Sequence, residues 1–415
     1  MRTLIKLNFI LILILILFNG RGVSNSIFVF NLDVGFAFTS VLLLQIVSLF
    51  MLWTYKKIKV DIVAIMLFLQ ILLYTLVLLI FPDSLASMKY YVAALLSFAT
   101  YIFFLNSTVA TTNKTILLFS EIATLIISLQ VVSVTINAFS NNVPFYLMKN
   151  YMELPIGGSN FVASFLLVFL VAIINFEEEK IRRFIFIPLG TLGILLTRSN
   201  GGLILLLIIF VFEYGKEILT NRSFLKTIKY LSLIVLSGFF MWKILGAFPD
   251  YFERYIVSLE RIFTGGYAGL YEASNSRLYI YREALGKIAH SPIVGYGLNY
   301  RSDVIGLSAH NLILDLLLKA GVLNLILFTG YILMLLSTFN KYGKLDKEIK
   351  VFRNIILVVI MNGMFEQNLG GLNFDLFFWM FCGIGMAKVN SLKKTNGSKS
   401  KNRNFYKEPT VLSSE

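Results

Sequence analysis

The stretch "MRTLIKLNFILILILILFNGRG" (residues 1–22) separates two kinds of protein. Read as a secretory signal, its basic start and apolar run would be removed and leave an exported chain; read as a span, it opens an integral membrane protein. No small-x-small cleavage site follows, and more apolar runs come at once. The segment is therefore expected to remain as an uncleaved first span. The whole chain agrees: 57% of its 415 residues are hydrophobic and 14% charged, against about 25% charged in a soluble domain. Mean hydropathy is +0.77. Apolar runs recur along most of the sequence, which excludes a soluble body with one anchor. The weak alternating segments of an outer-membrane barrel are absent.

Windows able to cross about 30 Å of hydrocarbon fall near 7–19, 34–53, 61–81, 90–106, 115–138, 160–176, 184–197, 201–213, 229–247, 311–338, 352–368 and 372–388. The expected fold is thus all-α and polytopic. It has about 12 transmembrane helices in one domain, residues 1–389, and a long, partly helical extracytoplasmic loop, residues 248–310, between spans 9 and 10. Residues 390–415, polar and basic, are expected to form a disordered cytoplasmic tail lying against anionic lipid. With both termini in the cytoplasm, most of the 37 Lys and Arg fall inside, as the positive-inside rule requires. The +14 net charge then reports topology, and no nucleic-acid partner is expected. One cysteine and two histidines cannot supply the usual Cys/His metal cluster. No metal and no cofactor are expected.

The outer cations gather in one place: Arg254, Arg261, Arg277, Arg282, Lys287 and Arg301 all lie in the 248–310 loop. Within it, "SNSRLYIYREALGKIAHSP" reads as a short helix capped by Ser274 or Ser276 and ended by Pro292. Leu278, Tyr281, Leu285 and Ile288 would share its apolar face. Arg277 and Arg282, five apart, lie about 140° apart around it. Tyr267, Tyr271, Tyr279, Tyr296 and Tyr300 suit either stacking on sugar rings or an interfacial aromatic belt. His310 opens the next apolar helix, "SAHNLILDLLLKAG" (308–321). An imidazole with its ordinary titration near pH 6.5 can serve as a general base, and it can equally be a helix-start residue bonded to backbone or headgroup. His290, beside Ser-Pro at a helix end, reads as a cap or an exposed residue. Asp315 is expected to pair with Lys319 at i+4, and the intramembrane Glu121 to serve in packing or in an interhelical bond.

These residues resemble the O-antigen ligase and polymerase superfamily of bacterial membrane glycosyltransferases. His310, Asn311, nine residues and Gly321 match its histidine signature, with Asn324 departing at the last position. "SRLYIYREALGKIAHSPIVGYGLN" is similar to its arginine and Gly-x-Gly segment, with Arg277 at the arginine and Tyr281 where tryptophan is common. "PIGGSNFVASFL" (155–166) resembles its Gly-rich segment, with Asn160 at the asparagine. "LLTRSNGGLILLL" (195–207) resembles its Thr-x-Ser-Arg-Gly-Gly stretch, with Asn200 at the arginine position and Arg198 two residues earlier.

The resemblance implies transfer of a glycan from an undecaprenyl-diphosphate carrier to an acceptor hydroxyl on the outer face of a bacterial cytoplasmic membrane. It implies His310 as base and Arg277 as diphosphate ligand. Arg198 or Arg282 would take the second arginine's place, and Asn160 and Asn311 would line the substrate site. Guanidinium groups can neutralise a diphosphate leaving group without metal, so a metal-independent glycosyltransferase is expected. The favoured reading is a polymerase that joins lipid-linked repeat units into capsular, exo- or O-antigen polysaccharide, with a chain-length regulator and a flippase as pathway partners. The Ile-, Lys-, Asn- and Phe-rich composition fits an AT-rich genome of the kind common in Gram-positive bacteria, which lack lipopolysaccharide. The alternatives are a ligase acting on lipid A core or protein, a transporter of lipid-linked oligosaccharide, and an export scaffold.

Overall fold

The computed structural model describes residues 2–18, 34–55, 58–82, 85–107, 112–143, 148–220, 260, 264–266, 277–300, 308–366, 368–370 and 372–405. Its helices are α1 (Arg2–Phe18), α2 (Val34–Tyr55), α3 (Ile62–Ile80), α4 (Leu85–Leu105), α5 (Thr112–Ser140) and the short α6 (Met148–Tyr151). A two-residue hairpin, β1 (Glu153–Leu154) and β2 (Gly157–Gly158), leads into α7 (Ser159–Phe176), α8 (Lys180–Thr197) and α9 (Asn200–Thr220). Then come α10 (Arg277–His290), α11 (Leu312–Gly343), α12 (Lys347–Gly363) and α13 (Leu372–Phe405). Helices overlap the expected windows except 229–247, which lies outside the described residues, as does most of the 248–276 segment. Five stretches, Ile62–Ile80, Ser87–Leu105, Lys114–Ser140, Ser159–Phe176 and Leu312–Gly343, are long and apolar enough to cross a membrane. The chain is a multi-pass helical membrane protein. Its last helix passes residue 390, where the tail was expected to begin, and continues to Phe405.

Apolar composition all round a helix puts one face in the core and leaves the other for lipid. On α3, Val63, Leu67, Ile71, Tyr74 and Val77 are buried, while Ile65, Phe68, Leu72, Leu76 and Leu79 point outward. By contrast, α7 is the central helix, with every residue from Val162 to Ile174 buried. Around it Phe165, Phe169 and Phe377 interlock with Phe374 and Phe381 at ring separations of 4.8 Å for three of the pairs. Small residues allow the neighbours to come close. A Cβ on Gly193 of α8 would stand 2.8 Å from Leu166 of α7 and 2.9 Å from Ser128 of α5. Glu121 on α5 pairs with Arg182 on α8, the interhelical bond its intramembrane position called for.

The feature that places the site is a break in α11. Ala320 (φ −151°, ψ 28°) and Gly321 (φ 68°, ψ −165°) leave helical geometry and divide α11 into 312–319 and 322–343. The second part is about 33 Å long, enough to cross the bilayer alone. In an unbroken helix Val322 N–H would bond Leu318 O. Here both are re-paired by the turn after α10: Val322 N–H donates to Pro292 O (2.8 Å) and Tyr296 N–H to Leu318 O (2.7 Å). Glycine is obligatory at the contact, because a Cβ on Gly321 would lie 1.9 Å from Ile293 O and one on Gly295 would lie 2.6 Å from Leu318 O. The side chain of Asn324 donates to Leu316 O (2.9 Å) and accepts from Gln70 of α3 (2.8 Å). The signature position that departs from the family pattern is thus a fastening for the broken helix.

Candidate active site

Asn160 reaches the site because the hairpin turns the chain back into α7. Glu153 pairs with Gly158 and Leu154 with Gly157. Gly157, at φ 126°, adopts a conformation other residues avoid. Asn160 Nδ2 then donates to Glu366 Oε2 at 2.6 Å. Its backbone carbonyl accepts from Ser164, whose hydroxyl accepts in turn from Asn362 of α12. The start of α7 and the end of α12 are joined at one end of the bundle.

His310 stands at the same end. Asn311 caps α11, its side chain accepting from Ile313 N–H (3.0 Å) and Leu314 N–H (3.2 Å) while its amide donates to Met364 O (3.2 Å). This cap fixes the residue before it, and His310 sits at φ 47°. Such a conformation costs on the order of 1–3 kcal/mol, persists where its surroundings enforce it, and clusters at functional sites. His310 Nδ1 lies 2.9 Å from Glu366 Oε1. Burial pushes the Glu366 carboxyl up, but the hydrogen bond and charge of His310, the Asn160 bond and the Arg277 charge outweigh it and hold the group below its ordinary value. An ionised carboxylate only accepts, so Nδ1 must be the donor, and Nε2 is left as the proton acceptor of the ring. The His310 side chain is 33% exposed and that of Glu366 only 8%. The imidazole faces outward with the carboxylate behind it.

From α10, Arg277 approaches the same carboxylate, with Nη2 3.8 Å from Glu366 Oε2 and a side chain 30% exposed. One turn on, Tyr281 donates its hydroxyl to His310 O (3.3 Å). With these two contacts in place, Ile280 and Ala284 of α10 are buried, and Leu285, on the apolar face read from the sequence, is 57% exposed. Arg282 is exposed on another face and is not brought to His310. Arg198 is buried in the left-handed residue that ends α8 (φ 57°). A Cβ on Gly201 would lie 3.2 Å from that of Phe365, so the turn carrying Arg198 abuts the residue beside Glu366. Asn200 is exposed at the start of α9. Lys149, half-buried on α6, lies within electrostatic range of both Arg277 and Glu366; burial and the Arg277 charge lower its ammonium below its ordinary value, with Glu366 partly offsetting them.

Several residues singled out in the sequence are structural. Tyr300 is buried and donates to Asp315 (2.8 Å), and Tyr296 donates to Lys287 O (2.9 Å). Neither is placed for stacking on a sugar; Tyr279 is half exposed, and Tyr267 and Tyr271, like Ser274, Ser276 and Arg301, lie outside the described residues. His290 is exposed, with Nδ1 2.7 Å from Gly286 O, as a cap at the end of α10. Asp315 pairs with Lys319 at 2.7 Å. Glu366 was the residue missed. Its signal in the sequence was a carboxylate in the short apolar connection "NGMFEQNLGG" (362–371), next to the last span.

No curated protein matches the sequence. A family model described as O-antigen ligase matches residues 184–329, a segment that contains Arg198, α10, His310, Asn311 and the break at Gly321, and leaves Asn160 and Glu366 outside. The segment 184–329, about a third of the chain, is thus similar to the O-antigen ligase family, the likeness that the sequence motifs carry.

Proposed function

We propose that the protein lengthens a polysaccharide by moving an oligosaccharide from a polyprenyl diphosphate to a hydroxyl of a second lipid-linked repeat unit, on the outer face of the cytoplasmic membrane. The observation that carries this reading is the hydrogen bond between His310 Nδ1 and the buried Glu366 carboxylate, with Arg277 beside them. The acceptor hydroxyl gives its proton to His310 Nε2 as its oxygen bonds the anomeric carbon. The bond from that carbon to the diphosphate oxygen breaks, and configuration inverts. Glu366 holds the ring and stabilises the imidazolium, a role of position and charge. Arg277 meets the negative charge that develops on the leaving diphosphate. General-base assistance contributes about 10² to 10⁴ in rate. Asn160 keeps the carboxylate turned toward His310, and Asn311 sets the backbone that aims the ring.

The helix break supports an outer-face site. The 322–343 part of α11 is long enough to fill the bilayer by itself, which would leave His310 just above it, where a carrier diphosphate meets water. Lys341, Lys344 and Lys347 at the other end favour the cytoplasmic side there.

The description of the matched family favours a second reading, ligase, in which the acceptor is lipid A core or protein. The deciding experiment supplies the purified protein with an undecaprenyl-diphosphate repeat unit and reads the products on a gel. A ladder from this lipid alone supports the polymerase. Product only after addition of a separate acceptor supports the ligase. Movement of the lipid between leaflets with no new glycosidic bond would replace both by a transporter.

A further inference from the structure

We propose that Asn362 and Ser164 are positioning residues for the transfer reaction, a buried relay that keeps Asn160 and Glu366 aligned so that the carboxylate faces His310. The inference rests on the reading of the site given above and extends it to two residues that touch neither the imidazole nor Arg277. Each oxygen of Glu366 meets one donor, His310 Nδ1 on Oε1 at 2.9 Å and Asn160 Nδ2 on Oε2 at 2.6 Å. The plane of the carboxylate is therefore fixed only while both donors keep their places.

Each donor has its own anchor on the corner that follows α12. On the histidine side, Asn311 donates to Met364 O at 3.2 Å. A Cβ on Gly363 would lie 2.9 Å from the Leu312 side chain, so the same corner is pressed against the start of α11. On the asparagine side the anchor is Asn362. Its carbonyl accepts from Phe365 N–H and Glu366 N–H, both at 2.9 Å, and so sets the backbone of Glu366. Its side-chain amide donates to the Ser164 hydroxyl, which donates to Asn160 O at 2.8 Å. A hydroxyl carries one proton; with that proton on Asn160 O, the Ser164 oxygen is left to accept, and the residue facing it must be a donor. Asn362 and Ser164 are both buried, so they act on the reaction through Asn160 and Glu366. An interhelical bond that served packing alone would move stability and rate together.

The test measures chain extension and thermal midpoint for the full chain in nanodiscs. It compares Ser164→Ala, Asn362→Leu and their combination, each with Glu366 intact and as Glu366→Gln. With Glu366 intact, each single variant should lower kcat by about tenfold, the scale of one buried hydrogen bond. KM for the lipid-linked donor should stay within about twofold, because Arg277 lies outside the relay. The combined variant replaces both partners by apolar groups and should regain much of the thermal midpoint, yet keep the loss in kcat. In Glu366→Gln the same substitutions should change kcat by less than about twofold, since the group they position is already disabled. Should Asn362→Leu not fold, Asn362→Asp serves in its place by keeping the volume and removing the donor. Recovery of kcat together with the midpoint in the combined variant overturns the proposal, as does a loss that multiplies with that of Glu366→Gln. If Glu366→Gln is slow while the relay variants run at the wild-type rate, the site reading survives without the relay. If Glu366→Gln itself keeps the wild-type rate, the site reading falls and the proposal with it.

Discussion

Replacing Glu366 by glutamine keeps the volume of the side chain and removes its charge. Two donors lie at hydrogen-bond distance from the carboxylate, His310 Nδ1 at 2.9 Å and Asn160 Nδ2 at 2.6 Å, each on its own oxygen. Glutamine has one carbonyl oxygen, so it can accept from only one unless Asn160 turns its amide over. The larger effect is on the imidazolium formed during transfer. At an effective dielectric near 20, opposite charges 2.9 Å apart attract by about 6 kcal/mol. His310 is a third exposed, so solvent screening leaves about 2–4 kcal/mol, or a loss of about 30-fold to about 10³-fold in rate. The loss should fall on kcat, with KM for the lipid-linked donor nearly unchanged, because Glu366 acts through His310. Initial rates of chain extension over a range of donor concentrations measure both. Wild-type kcat in Glu366→Gln would refute the claim that the carboxylate supports the base.

Other perturbations test the scaffold and the charge network. Gly321→Ala must place a Cβ 1.9 Å from Ile293 O at a backbone conformation only glycine adopts readily. It should cost more than about 3 kcal/mol, seen as a large drop in thermal midpoint in detergent, and a variant as stable as wild type would mean that the turn does not dock in the break. Lys319→Met leaves the buried Asp315 carboxylate without its partner at 2.7 Å. Stability should fall by about 3–5 kcal/mol, and Asp315→Asn combined with Lys319→Met should recover much of that. The pairing at Glu366 also has a sign with pH. Because its folded value lies below its ordinary one, its contribution to stability is fully present above about pH 4.5 and is lost as pH falls through the lower folded value. The thermal midpoint advantage of wild type over Glu366→Gln should accordingly shrink toward pH 3, and an advantage that grows on acidification would contradict the assignment.

The helices were legible because lipid demands long apolar runs, and no tertiary information is needed to read them. His310, Arg277, Asn160 and Asn311 were legible from short patterns, and they do converge on one end of the bundle. Glu366 was not, because a lone carboxylate in an apolar connection acquires meaning only when folding brings it to a histidine 56 residues away. Periodicity grouped Leu285 on the apolar face of α10, but it could not say which residues of the helix the contacts of Arg277 and Tyr281 would turn inward, and these are Ile280 and Ala284. The importance of Gly321 was visible as spacing. Its cause was not, since the clash with Ile293 exists only where two segments meet. Arg198 and Arg282 were equal candidates in the sequence; burial now separates them, with Arg198 buried at the end of α8, three residues before the Gly201 that meets Phe365, and Arg282 on an exposed face.

The most direct test of the account is single-turnover transfer by His310→Ala at saturating lipid-linked donor, with donor binding measured on the same sample. The account predicts that donor affinity stays near wild type while the transfer rate falls by about 10² to 10⁴. Transfer at the wild-type rate in a variant that still binds donor would show that His310 is not the base.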